Sequence, residues 1–150
     1  RRRGRRSAPT TAPRREAHAL LHPNDPARGV RTLVTDGRVL LPRRDIEGQG
    51  LIRLKDLYNV WVDREGDTLR VSYAGDSLDE ARQVKAPIIQ WVPVDANLPC
   101  TLLRQEGDME GFCEPMVVGE VGGVVQFERI GFARIDSVNG GSVTAYFAHR

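Results

Sequence analysis

In the stretch Leu51-Ile52-Arg53-Leu54-Lys55-Asp56-Leu57-Tyr58-Asn59-Val60-Trp61-Val62, the first half alternates with the period of a β-strand. Ile52 and Leu54 fall on one face; Arg53 and Lys55 fall on the other. Tyr58–Val62 is a second apolar run rich in β-branched and aromatic residues. Asp63–Asp67, with Gly66, reads as a turn, and Thr68–Tyr73 as the next strand. Toward the N-terminus, Val30–Val34 and Arg38–Leu41 flank Asp36-Gly37, a hairpin signal because a type I′ turn needs two positive φ values. Toward the C-terminus, Ser77–Gln83 has helical composition for two turns at most, and Pro87–Val92 reads as a buried strand. Strand runs follow at Cys100–Arg104, Phe112–Val118, Val124–Glu128, Phe132–Asp136 and Val143–Ala148. They are separated by Gly-rich turns such as Asn139-Gly140-Gly141.

About ten short strands at roughly 8–12-residue spacing predict an all-β fold, barrel or sandwich. The polar stretch Ala74–Lys85 divides them into two sets, which favours two small packed β-barrels. The expected organisation is a disordered basic arm over 1–15, a first β-barrel over 16–86 and a second over 87–150. A first strand around Ala17–Leu21 fits either barrel. Each half is small enough to need a packing partner.

The chain has 150 residues, 40% hydrophobic and 28% charged, a composition that excludes a wholly disordered protein. No apolar run approaches the ~20 residues of a membrane-spanning helix, so no membrane is expected as partner. The net charge of +2 is unevenly spread. Arg1–Arg15 holds seven arginines and no acid; the other 135 residues carry 15 basic and 20 acidic side chains, a net −5. Nucleic-acid binding therefore has to come from a local cationic face. Cys100 and Cys113 are too few for a disulfide scaffold and read as small buried thiols, placing the chain in a reducing, cytoplasmic compartment. No apolar segment follows the arginine run, so it is not a signal peptide. The chain opens on Arg and reads as a piece of something longer.

Catalytic and metal signatures are sparse. No Gly-rich phosphate loop, HExxH, GxSxG or CxxC occurs. His18 and His22 have the spacing of a zinc pair, but Pro23 follows and no Cys pair is near, so they read as ordinary strand or loop histidines. His149 reads as structural. No carboxylate pair suggests acid–base work. The expectation is a chain with no catalytic site, no metal and no cofactor of its own.

Binding chemistry is easier to find. Arg53 and Lys55, two apart on one strand face, lie about 7 Å apart by strand rise, a spacing that suits successive phosphates. Tyr58 nearby would add an aromatic platform for an unstacked base. His22-Pro23-Asn24-Asp25-Pro26 is a rigid polar loop whose Asn24 amide both donates and accepts. In Val125-Gln126-Phe127-Glu128-Arg129-Ile130-Gly131-Phe132, Gln126 and Arg129 are side chains suited to bidentate base recognition.

These segments carry a family resemblance. His-Pro-Asn-x-Pro-x-x-Gly-x-Arg from His22, Ile-Arg-Leu-Lys-Asp-Leu-Tyr-Asn-Val from Ile52 and Ile-Gln-Trp-Val from Ile89 come first. Val-Gln-Phe-Glu-Arg-x-Gly-Phe from Val125, Ile-Asp-Ser from Ile135 and Tyr-Phe-Ala-His-Arg from Tyr146 complete the order. The set resembles the C-terminal anticodon-binding region of class I glutamyl-tRNA synthetases of the archaeal and eukaryotic branch, itself similar to glutaminyl-tRNA synthetase. It covers about Ala17 to Arg150.

The resemblance implies two barrels related to the ribosomal protein L25 fold, and the anticodon stem-loop of a glutamate tRNA as partner. It implies anticodon contacts from Pro23, Asn24, Arg53, Lys55, Gln126 and Arg129. A separate N-terminal catalytic domain, carrying His-x-Gly-His and Lys-Met-Ser-Lys-Ser signatures that this chain lacks, would use ATP and magnesium. The chain departs from the glutaminyl relative at Lys55, where a bidentate Arg becomes a point charge, at Asp56, which replaces Asn, and at the short loop Asp45–Gly50. The competing readings are a stand-alone L25-like RNA-binding protein, a glutamine–tRNA ligase fragment and a module that binds no RNA. Strict alternation along Val124–Arg129 puts Gln126 and Arg129 on opposite faces. Their joint action requires the strand to break near Arg129–Gly131.

Overall fold

A computed structural model describes residues 12–46, 50–66 and 68–150. The chain divides into two compact units, the first ending at Asp95 and the second running from Ala96 to Arg150. Of the expected basic arm, residues 1–11 lie outside the described residues, as do positions 47–49 and 67 in the two polar loops.

The first unit is built on a four-stranded sheet. Strands β1 (Arg15–Leu20) and β2 (Val30–Thr35) form an antiparallel pair, with Ala17 opposite Leu33. After the two-residue β3 (Val39–Leu40) come β4 (Gly50–Leu54), β5 (Asn59–Glu65) and β6 (Thr68–Tyr73), a meander. A short helix, α1 (Leu78–Gln83), then returns the chain to β7 (Ile88–Ile89), which lies parallel to β4. Last, β8 (Val92–Pro93) pairs with β3. The sheet order is β6-β5-β4-β7.

Alternation decides the core. Ile52 and Leu54 of β4 and Val60 and Val62 of β5 are buried, together with Leu33, Val39, Ile46, Leu57, Ile89 and Trp91. Helix α1 starts on Ser77, whose hydroxyl accepts from the Glu80 N–H at 3.1 Å. It ends with Lys85 in the left-handed region, and the Ala86 N–H reaches back to the Ala81 carbonyl at 2.9 Å, a Schellman ending.

The second unit is one five-stranded sheet. Its strands are β9 (Leu98–Leu103), β10 (Met109–Cys113), β11 (Val124–Phe127), β12 (Gly131–Asn139) and β13 (Ser142–His149), in the order β10-β9-β13-β12-β11. The pairing of β9 with β13 is parallel; the rest are antiparallel. Asn139 faces Ser142 across a two-residue loop in which Gly140 and Gly141 both have positive φ, as a type I′ turn requires. Cys100, Leu102, Cys113, Val117, Ala133, Ile135, Val143 and Ala145 form the core. Both cysteines are free and buried. A hydrogen bond with Cys100, and then burial, push the Cys113 thiol up.

The strands make the chain all-β, as expected, but four local expectations change. Asp36-Gly37 does not close a hairpin, because β2 pairs with β1 and β3 with β8. Asp36 lacks a positive φ. Its carboxylate instead accepts from the Arg38 backbone at 2.9 Å, and the Thr35 hydroxyl accepts from the Gly37 N–H at 3.0 Å. That side-chain turn bends the chain out of one sheet and into another. The run Pro87–Val92 is two short bridges, because the chain leaves β4 for β3 at Gln90-Trp91. The expected strand Phe112–Val118 stops at Cys113, since Pro115 has no N–H to continue the ladder and opens a 3₁₀ turn. Finally, β7 and β8 pair with strands of the first unit, so the boundary falls between Asp95 and Ala96 instead of between 86 and 87.

Candidate nucleic-acid interface

In the first unit, Pro23 and Asn24 sit exposed on the loop joining β1 to β2. The loop is closed at its neck by the Leu21 N–H on the Gly29 carbonyl at 3.0 Å. Inside it, the Asn24 N–H donates to His22 Nδ1 at 3.3 Å, and Asp25 accepts from the Ala27 N–H at 3.2 Å ahead of a 3₁₀ turn at Pro26–Arg28. These hydrogen bonds and two prolines thus fix the loop while Asn24 stays exposed. His18 is separate, on β1, with Nδ1 3.2 Å from the Thr32 hydroxyl.

Arg53 is held on the face of β4 opposite Ile52 and Leu54. Its Nη1 donates to the Asp76 carbonyl at 2.8 Å and to Asn59 Oδ1 at 3.3 Å. Asn59 is 1% exposed and donates its own Nδ2 to the Ser77 carbonyl at 2.8 Å. Lys55 lies just beyond the strand, its N–H on the Ile89 carbonyl at 3.1 Å and its carbonyl accepting from Trp91 Nε1 at 2.8 Å. The Leu57 N–H returns to the Leu54 carbonyl at 3.1 Å, and Asp56 takes φ 58°. This is a type II turn with a non-Gly residue where Gly or Asn is preferred. Arg53 and Lys55 therefore share the partly exposed side of β4, as the alternation predicted.

Two expectations about neighbouring residues are overturned. Tyr58 is no platform: it is 0% exposed, and its hydroxyl donates to the Pro13 carbonyl at 3.2 Å. Burial pushes its pKa up to about 12. Arg15 is not part of a free arm. It belongs to β1, pairs with Asp76 and lies over the rings of Tyr58 and Tyr73 at 5.4 and 5.8 Å. A guanidinium between a carboxylate and two rings is anchored. The Asp76 carboxyl is held below its usual range, first by Arg15, with Tyr73 and Arg53 adding to the effect.

In the second unit, Gln126 is exposed on β11 and Arg129 is exposed in the turn to β12. β11 stops at Phe127, and the Ile130 N–H folds back on the Phe127 carbonyl at 3.0 Å. Arg129 takes φ 63°, again the third position of a type II turn. The break expected before Gly131 is present, so opposite parity does not keep Gln126 and Arg129 on opposite faces.

Sequence reasoning missed two groups here. Asn59, inside a quoted motif, is the buried amide that sets Arg53. Phe132 and His149 stack at 4.8 Å between ring centroids, directly across from each other and in line with Gln126. The signal for Asn59 was a polar residue in an apolar run. A bulge hid the Phe132–His149 pair. Among the described residues, no three His, Cys, Asp or Glu side chains gather as a metal site, and no helix is long and apolar enough to cross a membrane.

The exposed amides of Asn24 and Gln126 and the exposed guanidinium of Arg129 are groups whose chemistry can meet base edges. Two family models, each described as the anticodon-binding domain of class I (E and Q) tRNA synthetases, match residues 7–74 and 88–136. A glutamate–tRNA ligase of Methanoculleus marisnigri is 74% identical over 139 residues, 93% of this chain and 25% of that protein. The ligase of Methanocorpusculum labreanum is 53% identical over 139 residues, 93% of this chain and 24% of its own length. That of Methanosarcina mazei is 44% identical over 132 residues, 86% and 23% respectively. The chain belongs to the anticodon-binding domain family of class I tRNA synthetases for glutamate and glutamine. It spans about a quarter of the length of these curated relatives.

Proposed function

We propose that this chain is the anticodon-binding part of a glutamate–tRNA ligase and docks the anticodon stem-loop of a glutamate tRNA. The observation that carries this reading is the 74% identity to a glutamate–tRNA ligase over nearly the whole chain. Pro23, Asn24, Arg53, Lys55, Gln126 and Arg129 are the proposed contacts, and their fixed backbones support that role. Rigid donors lose little freedom on binding. Arg129 and Gln126 would read base edges, while Lys55 would act as a point charge toward phosphate. In this reading the ligase works in the cytoplasm. A catalytic domain elsewhere in it uses ATP and magnesium to activate glutamate and esterify the tRNA 3′ end.

The test is filter binding of the chain to transcribed glutamate tRNA at two salt concentrations, beside an anticodon-swapped tRNA. Salt-dependent affinity that drops on the swap supports the reading. Binding indifferent to the swap refutes anticodon recognition, and absence of binding refutes the RNA partner.

A further inference from the structure

We infer that the outer face of the β11–β12–β13 sheet is a stacking platform for one unpaired base of the bound RNA, with the Phe132–His149 stack as its wall. The inference rests on the anticodon reading and adds a surface that reading does not assign. Gln126 is directly opposite Phe132, and Phe132 directly opposite His149, so the three form one row across three strands. Residues directly opposite in a ladder point to the same side of the sheet. The next row is Val124, Arg134 and Tyr146. Ala133, Ile135, Val143 and Ala145 fill the opposite, inner face.

His149 and Tyr146 share the outer face only because of a register shift between Phe132 and Ala133. Ala133 faces Phe147, while Phe132 skips to His149. Regular alternation would have set His149 beside Phe147, which packs inward. The approach is close. A Cβ on Gly131 would sit 2.7 Å from the His149 carbonyl oxygen and 2.7 Å from the Phe147 ring. A residue without a side chain is what brings the two ring-bearing positions together.

The chemistry of the face selects its occupant. Phe132 is half-buried and His149 exposed, stacked with 27° between planes, so the pair presents the imidazole outward on an apolar backing. Tyr146, 48% exposed, adds a second ring one row away. Flat rings backed by protein favour a flat ligand, and the adjacent Gln126 amide complements the polar edge of a base. Arg134 and, in the turn, Arg129 supply positive charge for the attached phosphate; Asp136, 3.8 Å from Arg134, offsets part of it. A lipid or an apolar peptide would not use the amide.

The test titrates the chain with anticodon stem-loops carrying 2-aminopurine at each anticodon position in turn, a base whose fluorescence is quenched by stacking. Quenching at one position that weakens in His149→Ala and survives in His149→Phe supports the platform. The expected affinity loss for His149→Ala is about 5- to 150-fold, the range for removing one base-stacking ring. Phe132→Leu, which keeps the apolar backing, distinguishes loss of the ring from loss of folding when circular dichroism is read alongside. Anticodon-dependent binding with no quenched position, or quenching indifferent to His149→Ala, overturns the platform and leaves the anticodon reading intact. Binding indifferent to an anticodon swap overturns both.

Discussion

Asn59 and Arg53 face each other across β5 and β4, and the Asn59 side-chain oxygen accepts from Arg53 Nη1 at 3.3 Å. The same buried amide donates to the Ser77 carbonyl, tying the entrance of α1 to the strand that carries the cation. Among the described residues, both hydrogen bonds of the guanidinium use Nη1. Replacing Asn59 by Ala removes a buried amide and leaves its half-buried partners, Arg53 and the Ser77 carbonyl, without it, and should cost about 1–3 kcal/mol of stability. Urea unfolding checks that figure. A matched loss of tRNA affinity at a temperature where the variant stays folded would show that Asn59 positions Arg53.

Arg129 occupies a left-handed position that favours Gly. Arg129→Gly should therefore stabilise the β11–β12 turn by up to about 1 kcal/mol while weakening RNA binding. Opposite signs in thermal melting and in filter binding are the expected result. Lys55→Ala should instead weaken all tRNAs alike and flatten the salt dependence.

Gly131→Ala forces a Cβ to 2.7 Å from a backbone oxygen and a ring, at φ 144°. Neither neighbour is a flexible chain end. The expected outcome is a loss of more than about 2 kcal/mol, in the range of overpacked cores. Limited proteolysis should find the new cleavage sites in the second unit, and cleavage in the first would contradict the argument.

The Tyr58 phenol, raised by burial to about 12, makes stability fall in alkali. The neutral form is favoured in the fold, so its contribution is complete below the unfolded value near 10. It is lost as pH climbs from about 10 through about 12. Tyr58→Phe should lose about 1 kcal/mol for the Pro13 hydrogen bond and flatten that window. Denaturant midpoints measured across it for both proteins provide the comparison.

The sequence was most legible where local pattern and tertiary context agree. Ile52 and Leu54 go inward as their alternation requires, Thr68–Tyr73 forms β6, and Ser77 caps the helix. The turn at Arg129 was readable because two polar groups needed a common side. Legibility failed where a side chain or bulge overrode the pattern. Thr35 and Asp36 turn the chain with their own oxygens, so Asp36-Gly37 mimics a hairpin it does not make. Tyr58 looked like a platform, yet its register beside Asn59 and Val60 takes it into the core. The polar stretch Ala74–Lys85 divides the strands into two sets by composition, but it carries the crossover that brings β7 back beside β4. The Phe132–His149 pair depended on an irregularity that no periodicity reports.

The parallel pairing of β9 with β13 has a consequence for biosynthesis. β9 is the first strand of its unit to leave the ribosome and β13 the last, and Val143–Tyr146 must arrive before Cys100–Leu103 has a neighbour on that side. Until then only β9–β10 and β11–β12 can form as local hairpins, each too small to persist in water. The second unit is therefore expected to fold only after synthesis of this region is complete. A nascent chain arrested before Ser142 should leave the first unit protease-resistant and the second fully digestible.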